Sequence, residues 1–337
     1  MSKPSRPRLF YLDFVRAFAL CCILVIHFNA SVTGYFTYPS KLFPSILPLG
    51  IYLGDFGSSL FFIVSGAALG YTTKPDVAPV AFYQKRARAV YPMFWLAWFG
   101  CFSIRMATRP WVFAGAKPLT LILTVLGLDN FAVASGWVTQ DFACVGEWFL
   151  GSILFLYLLF PLIQRLLRRS PVLCWCIVCA VSLAIHLLGW DAGLVAVHLP
   201  EFLFGMAFVG WTNRGKALGF VLSAVLLVPA VWFGNAKIIC ALFSMAFFVL
   251  LAVVGRKLEC APLRGVCGAM GKYSYAAFLL HHVIILRMVE AYDLSAITRR
   301  DTALLFLAYL FLTALASILL YRADRWVRGG VAQRLRG

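Results

Sequence analysis

Charged residues are scarce in this chain of 337 residues. Asp, Glu, Lys and Arg together make up 13% of it, whereas hydrophobic residues make up 62%, and the mean hydropathy is +0.88. Soluble globular domains carry about 25% charged residues. The composition therefore excludes a soluble domain and predicts an all-α, polytopic membrane helix bundle.

The sequence also has no internal repeat, no low-complexity tract and no polar stretch long enough for an appended soluble domain. Many secondary transporters are built from repeated halves, so the missing repeat argues against that class. We expect residues 1–337 to form a single membrane domain.

Metal-ligand clusters are missing as well. Most of the ten cysteines lie inside apolar runs, where they serve as small apolar residues. Cys174, Cys176 and Cys179 crowd one segment, but no histidine or carboxylate accompanies them there. We expect no metal site.

What the chain does have is long apolar segments, and ten of them read as spanning helices. If the amino terminus is cytoplasmic, 22 of the 30 Lys and Arg residues fall on the cytoplasmic side and eight fall opposite. This positive-inside distribution predicts that both termini are cytoplasmic. The predicted spans are approximately 9–31, 50–72, 89–106, 145–164, 171–189, 194–212, 217–233, 238–254, 270–290 and 302–322.

One further apolar segment, near 118–135, is not counted as a span. Counting it would place Arg165, Arg168 and Arg169 outside and would invert every later loop. The segment also contains Gly127 and Asp129. We predict a re-entrant or interfacial piece on the outer side, which is tolerated where protein covers it.

The first apolar stretch, Leu9 to Phe28, carries three ionisable residues: Asp13, Arg16 and His27. Such groups are disfavoured in a span unless they pair or face a cavity. Arg16 and His27 are eleven residues apart, which is close to three whole helical turns and roughly 16 Å of rise, so they share one helix face. An arginine snorkelling to the headgroups and a histidine bonded to a neighbouring helix would be the structural alternative.

The remaining ionisable residues separate by depth. Histidines and carboxylates, among them His198 at the start of the sixth span, suit general acid–base chemistry. Basic residues at the cytoplasmic end of the bundle suit an anionic, phosphate-bearing ligand. Towards the outer half lie His27, Asp55, Glu147, Glu201, His281 and His282, and towards the inner side lie Arg16, Lys85, Arg86, Arg88 and Lys272.

Each of these sets also has a structural explanation. The 85–88 cluster could serve only as a topogenic, headgroup-binding loop. Asp55, Glu147 and Glu201 lie near helix N-termini, where acidic side chains favour the helix dipole without catalytic duty. The net charge of +17 follows the topology, so we expect no nucleic-acid partner.

Five patches in order along the chain resemble the acyltransferase 3 family of bacterial integral membrane O-acyltransferases. The first carries the family's Arg-x10-His spacing at Arg16 and His27. The third departs from the usual Arg-x-x-Arg motif, because Arg86 fits its first position but Ala89 occupies its second. Lys85 and Arg88 offer the spacing one residue out of step. The patches are LDFVRAFALCCILVIHF (12–28), GSSLFFIVSGAALG (57–70), FYQKRARAVYP (82–92), EWFLGSILFLYLLFP (147–161) and GKYSYAAFLLHHVII (271–285).

The resemblance implies ten spanning helices and an enzyme of the bacterial cytoplasmic (inner) membrane. Its expected partners are membrane lipid, an acyl-CoA co-substrate, with acetyl-CoA first, and a sugar, surface polysaccharide or lipid-linked glycan acceptor, with no bound cofactor. Oligomeric state stays open.

In the mechanism that the resemblance suggests, Arg16 and the Lys85, Arg86 and Arg88 loop hold the phosphates of acyl-CoA. His27 acts as general base or as a transient acyl carrier. His281 or His282, with Glu147 or Asp55, orients it or handles a second proton. Asp13 holds Arg16 as an ion pair, and Glu201 is a further candidate. Two other functions stay open: a transporter of a small anionic or sugar-like solute, and a lipid- or polymer-assembly partner without chemistry of its own.

Overall fold

The computed structural model describes residues 7–32, 41–74, 77–189, 195–291, 294 and 297–334. These residues form helices and connecting loops, and within them no strand is present. The helices are α1 (Phe10–Val32), α2 (Leu53–Thr72), α3 (Pro79–Thr108), α4 (Leu121–Leu126), α5 (Asp129–Ala134), α6 (Glu147–Arg169), α7 (Pro171–Leu187), α8 (Leu199–Phe208), α9 (Asn213–Phe233), α10 (Ala236–Lys257), α11 (Ala261–Glu290) and α12 (Arg299–Arg334).

Each of the ten predicted spans coincides with one of these helices. Within the described residues, six helices are long and apolar enough to cross a membrane: α1, α2, α6, α9, α10 and α12. The helices α3 and α11 begin about ten residues before the predicted spans, because helical geometry extends into the residues that precede each span, including the basic positions 85–88 and Arg264. The helix α8 is shorter than predicted, with ten residues. The count of ten spans and the cytoplasmic termini stay predictions.

The helix α1 lies at the centre of the bundle. It packs against α2, α10 and α11, and 15 of its 23 residues are buried. Ionisable side chains in a membrane span are disfavoured unless they pair or face a cavity, so a helix that carries several of them belongs inside the bundle. The polar side chains of α1 therefore face protein.

The helices α2 and α8 pack so closely that only glycine fits at their contact. A Cβ on Gly66 would collide with the backbone carbonyl of Phe202, and a Cβ on Gly205 would collide with that of Ile63. Small residues at such contacts let helix backbones approach in membrane proteins, where van der Waals packing drives association. This contact holds α8 beside the central pair α1 and α2.

The segment predicted to be re-entrant folds as two short helices, α4 and α5, of six residues each. Six residues rise only about 9 Å, which is far short of a bilayer core. Gly127 separates the two helices with a φ of +67°, and a Cβ on it would collide with the backbone of Gly151 in α6. The segment is thus not a spanning helix but a broken piece that rests on α6.

The α2–α8 contact generates a stability prediction. Gly66→Ala should lower the free energy of unfolding by about 1–3 kcal/mol, because overpacking against backbone forces the helices apart. Thermal unfolding of detergent-purified protein, followed by tryptophan fluorescence, measures the effect.

Gly100→Ala on α3 is the matched control, since a Cβ there meets nothing within 4 Å. It should raise stability by about 0.5–1 kcal/mol through the better helix propensity of alanine. Equal melting temperatures for the two variants would contradict the close contact.

Candidate active site

A cavity of about 310 Å³ lies where α1, α6, α11 and the α5 segment meet. We call it the outer cavity. It brings together four of the residues that the sequence singled out, and it adds Asp129 from α5 and Asp141 from the loop before α6. Its ionisable lining residues are His27, Asp129, Asp141, Glu147, His281 and His282.

Three histidines form a cluster in the outer cavity. The ring centroid of His27 lies 4.8 Å from that of His281 and 5.2 Å from that of His282. His281 is buried, and the other two are half-buried. The sequence required only that one of the two adjacent histidines face protein, and the structure places both against His27.

The imidazole of His281 is held in one tautomer. Its Nδ1 lies 3.0 Å from the backbone carbonyl oxygen of Ala277, one helical turn earlier. A carbonyl oxygen only accepts, so Nδ1 carries the proton and Nε2 keeps its lone pair. That Nε2 is buried and has no hydrogen-bond partner among the described residues. A neutral imidazole with a free basic nitrogen therefore lies beside His27.

Glu147 shapes the outer cavity through the backbone. Its carboxylate accepts hydrogen bonds from the amides of Cys144, Val145 and Gly146, at 2.6–3.1 Å. It is 3% exposed. These contacts fold the loop before α6 around the carboxylate. Glu147 therefore positions this loop, and its suggested part in proton transfer stays a prediction.

The same loop is anchored from α3. Arg105 donates to the carbonyl oxygen of Ala143 at 3.1 Å, and Trp98 Nε1 donates to that of Phe142 at 3.0 Å. Backbone groups that lie under a membrane surface need partners of this kind. The loop that forms this wall of the cavity is therefore fixed by hydrogen bonds from α3.

Asp129 lines the outer cavity but was not among the candidate site residues predicted from the sequence. It is 1% exposed and accepts a hydrogen bond from the Thr124 hydroxyl at 2.7 Å on Oδ1. Its Oδ2 is buried and has no partner in the described part of the chain. Burial raises the pKa of Asp129 to about 7, against the lowering effect of the Thr124 hydrogen bond. The sequence feature that could have identified Asp129 as a site residue is an acidic side chain inside an otherwise apolar segment.

A second cavity, of about 430 Å³, is lined by α1, α2, α3, α6 and α11. We call it the inner cavity. Two of the predicted phosphate-binding residues, Arg16 and Arg86, line it together with Ser65, Tyr157 and Ser274. The Arg86 guanidinium lies 5.9 Å from the centre of the Tyr157 ring, a cation–π contact.

The other two predicted phosphate ligands do not reach this cavity. Lys85 and Arg88 are exposed on α3 and do not line it. Adjacent helix positions point about 100° apart, so when Arg86 faces the bundle its neighbours face away. Of the four predicted phosphate ligands, Arg16 and Arg86 line the inner cavity, and phosphate binding itself stays a prediction.

Asp13 pairs with Arg16 as predicted, but loosely. Their charged atoms are 3.8 Å apart, whereas Arg8 donates to the same carboxylate oxygen at 2.9 Å. Asp13 therefore shares its charge between two arginines, and Arg16 keeps hydrogen-bonding capacity for a ligand.

Asp55 and Glu201 lie outside both cavities. Lys237 donates to Asp55 Oδ2 at 2.9 Å, a salt bridge between α10 and α2. Glu201 accepts from the Ser59 hydroxyl at 3.1 Å and contacts His198 Nδ1 at 3.2 Å. Both carboxylates link helices, and neither orients His27. Across the described ranges, no group of three or more His, Cys, Asp and Glu side chains could hold a metal ion.

Asp129 makes the fold pH-sensitive. A carboxyl whose pKa is raised from 3.8 to about 7 favours its protonated form in the folded state. Its contribution to stability is present below about pH 4 and is lost as the pH rises towards 7. The melting temperature should therefore fall across that window.

Asp129→Asn should flatten this pH dependence, because the amide stays neutral. Asp141→Asn, in the same cavity wall, is the comparison: it removes a negative charge that raises the pKa of Asp129, so it should keep the slope and move it to lower pH. Melting curves of detergent-purified protein between pH 4.5 and 8 measure it, and identical slopes for Asp129→Asn and wild type would contradict the assignment.

Comparison with known proteins identifies the family of the chain. The sequence profile of the acyltransferase 3 family, described as an acyltransferase domain, matches residues 9–322. The acyltransferase MdmB of Streptomyces mycarofaciens is 27% identical over 274 residues, which cover 69% of this chain and 68% of that protein. No solved structure matches. The family profile spans both cavities and the histidine cluster, and the chain belongs to the acyltransferase 3 family.

Proposed function

We propose that this protein moves an acyl group from acyl-CoA, with acetyl-CoA as the expected donor, to a hydroxyl of a sugar, surface polysaccharide or lipid-linked glycan at the bacterial cytoplasmic membrane. Acyl transfer follows from the family and from a relative named as an acyltransferase. The observation that carries the finer proposal is that Arg16 and His27, on one helix, line two different cavities.

The inner cavity suits the donor. Arg16 and Arg86 offer guanidinium groups to phosphates, which they bind in bidentate fashion. The rise of α1 separates Arg16 from His27 by roughly 16 Å, the scale of an extended pantetheine arm. With its phosphates at the arginines, the thioester of acyl-CoA reaches towards the histidines.

The outer cavity suits the acceptor and the chemistry. His27 is half-buried, lines the cavity and shares α1 with Arg16, so we assign it as the histidine that an acceptor hydroxyl reaches. It takes the hydroxyl proton as the oxygen attacks the thioester carbonyl. The C–S bond then breaks, and the departing thiolate takes the proton back from the imidazolium.

His281 completes the proton path. Its fixed tautomer keeps Nε2 unprotonated beside His27, so the positive charge that forms on His27 has a neutral imidazole lone pair next to it. We infer that Asp129 Oδ2, which is buried and has no partner among the described residues, forms a hydrogen bond with a second hydroxyl of the acceptor.

A direct test follows free CoA thiol in detergent-purified protein incubated with acetyl-CoA and a mixed glycan extract. His27→Ala should lower thiol release by about 10²–10⁴-fold, the usual effect of losing a general acid–base group. Arg16→Ala should raise the KM for acetyl-CoA by about tenfold or more, because a charge-assisted contact is lost.

His186→Ala is the matched control, since His186 on α7 lines neither cavity, and it should release thiol at the wild-type rate. Wild-type turnover by His27→Ala would show that His27 is not the general base. If wild type releases no thiol and acetyl-CoA does not raise its melting temperature, the transporter of an anionic or sugar-like solute becomes the better explanation.

A further inference from the structure

The inner and outer cavities share a wall. Phe278, on α11, lines both of them. It lies one turn after Ser274, which faces the inner cavity, and one turn before His281 and His282, which face the outer one. The side chain of Phe278 therefore stands on the path from Arg16 to His27.

Phe278 does not stand alone in this wall. Its ring centroid lies 4.2 Å from that of Phe149, which lines the inner cavity, and 6.4 Å from that of Phe61. On the other side it lies 6.1 Å from Trp148 and 5.5 Å from His281, which line the outer cavity. The rings belong to α2, α6 and α11, so the wall closes the space between three helices.

We propose that Phe278, with Phe149 behind it, forms an aromatic septum between the two cavities, and that Phe278 determines which acyl groups reach the histidine cluster. This inference rests on the proposed function, in which the donor enters from the inner cavity. Phe278 acts here as a specificity-determining residue.

The geometry implies two consequences for the septum. Rotation of one side chain, Phe278, would join the cavities, and the acyl group has to pass through the opening so formed. The outer cavity measures only about 310 Å³ and must also hold the acceptor hydroxyl. The opening is limited to the width of one side chain, so short acyl groups pass into the outer cavity and long ones are excluded.

The second consequence concerns water. When no acceptor is bound, the septum keeps water in the outer cavity away from the thioester. Excluding water in this way suppresses the side reaction in which water attacks the thioester carbonyl, the C–S bond breaks, and a free carboxylic acid and CoA thiol result.

Acceptor-free hydrolysis tests the septum in the enzyme. Phe278→Ala should raise thiol release from acetyl-CoA by about tenfold, because water gains access to the thioester. It should also make octanoyl-CoA a substrate relative to acetyl-CoA. Phe278→Leu, which retains more of the side-chain volume, should lie between wild type and Phe278→Ala and covers the case in which the alanine variant fails to fold.

Phe204→Ala is the matched control. Phe204 and Phe278 are both 3% exposed, but Phe204 packs against Phe208, Trp211 and Phe248 and lines neither cavity. An equal rise in hydrolysis for Phe204→Ala would show that loosened packing, and not the septum, is responsible, and would overturn the proposal.

Thiol labelling tests the septum without relying on activity. Ser65 lines the inner cavity, so Ser65→Cys should react with a membrane-impermeant methanethiosulfonate applied to sealed vesicles from one face only. In combination with Phe278→Ala it should react from both faces, and in combination with Phe204→Ala from one. The same proteins with Ser65 retained give the background of the native cysteines.

The two tests separate the two proposals. If no variant consumes a thioester but labelling from the second face depends on Phe278, the septum stands and acyl transfer from CoA fails. If Ser65→Cys reacts from both faces with Phe278 intact, or still from one face in Phe278→Ala, the septum is wrong whatever the activity shows.

Discussion

The central burial of α1 is the constraint on which the rest of the structure depends. A helix enclosed by α2, α10 and α11 cannot expose its polar groups to headgroups or water, so Asp13, Arg16 and His27 must each meet protein or a cavity. Arg16 meets the inner cavity and His27 the outer one. Because both lie on the same rigid helix, the distance between a charge that can hold phosphates and a base that can accept a proton does not vary with loop motion.

The surrounding helices fix the position of α1 and of the cavity walls by close packing and by hydrogen bonds to the loop before α6. The glycine contact between α2 and α8 brings α8 against the central helices with no side chain between their backbones. At the outer side, Glu147 collects three backbone amides, and Arg105 holds the same loop from α3. Both devices satisfy polar groups internally, which a lipid environment demands. The result is an outer cavity whose walls come from fixed backbone.

The two cavities differ in chemistry because different helices supply their polar groups. The inner one draws guanidinium groups from α1 and α3, and the outer one draws imidazoles from α1 and α11 and carboxylates from the α4–α6 region. The aromatic rings between them carry no charge. In the proposed reaction, the anionic donor and the hydroxyl acceptor approach the thioester carbon from these separate environments.

The sequence by itself determined the class of protein, the positions of the helices and the pairing of Arg16 with His27 on one face of α1. These are local properties, set by hydropathy and by the helical repeat. Only the tertiary structure decided which residues of other helices join them. In the tertiary structure, His281 and His282 lie against His27, and Asp129 and Phe278 line the same cavity. Lys85 and Arg88 do not line the inner cavity, and Asp55 forms a salt bridge with Lys237. The physical reason is that the helical period relates residues within one helix, whereas the rotation of a helix about its own axis against its neighbours is set by packing between segments far apart in the chain.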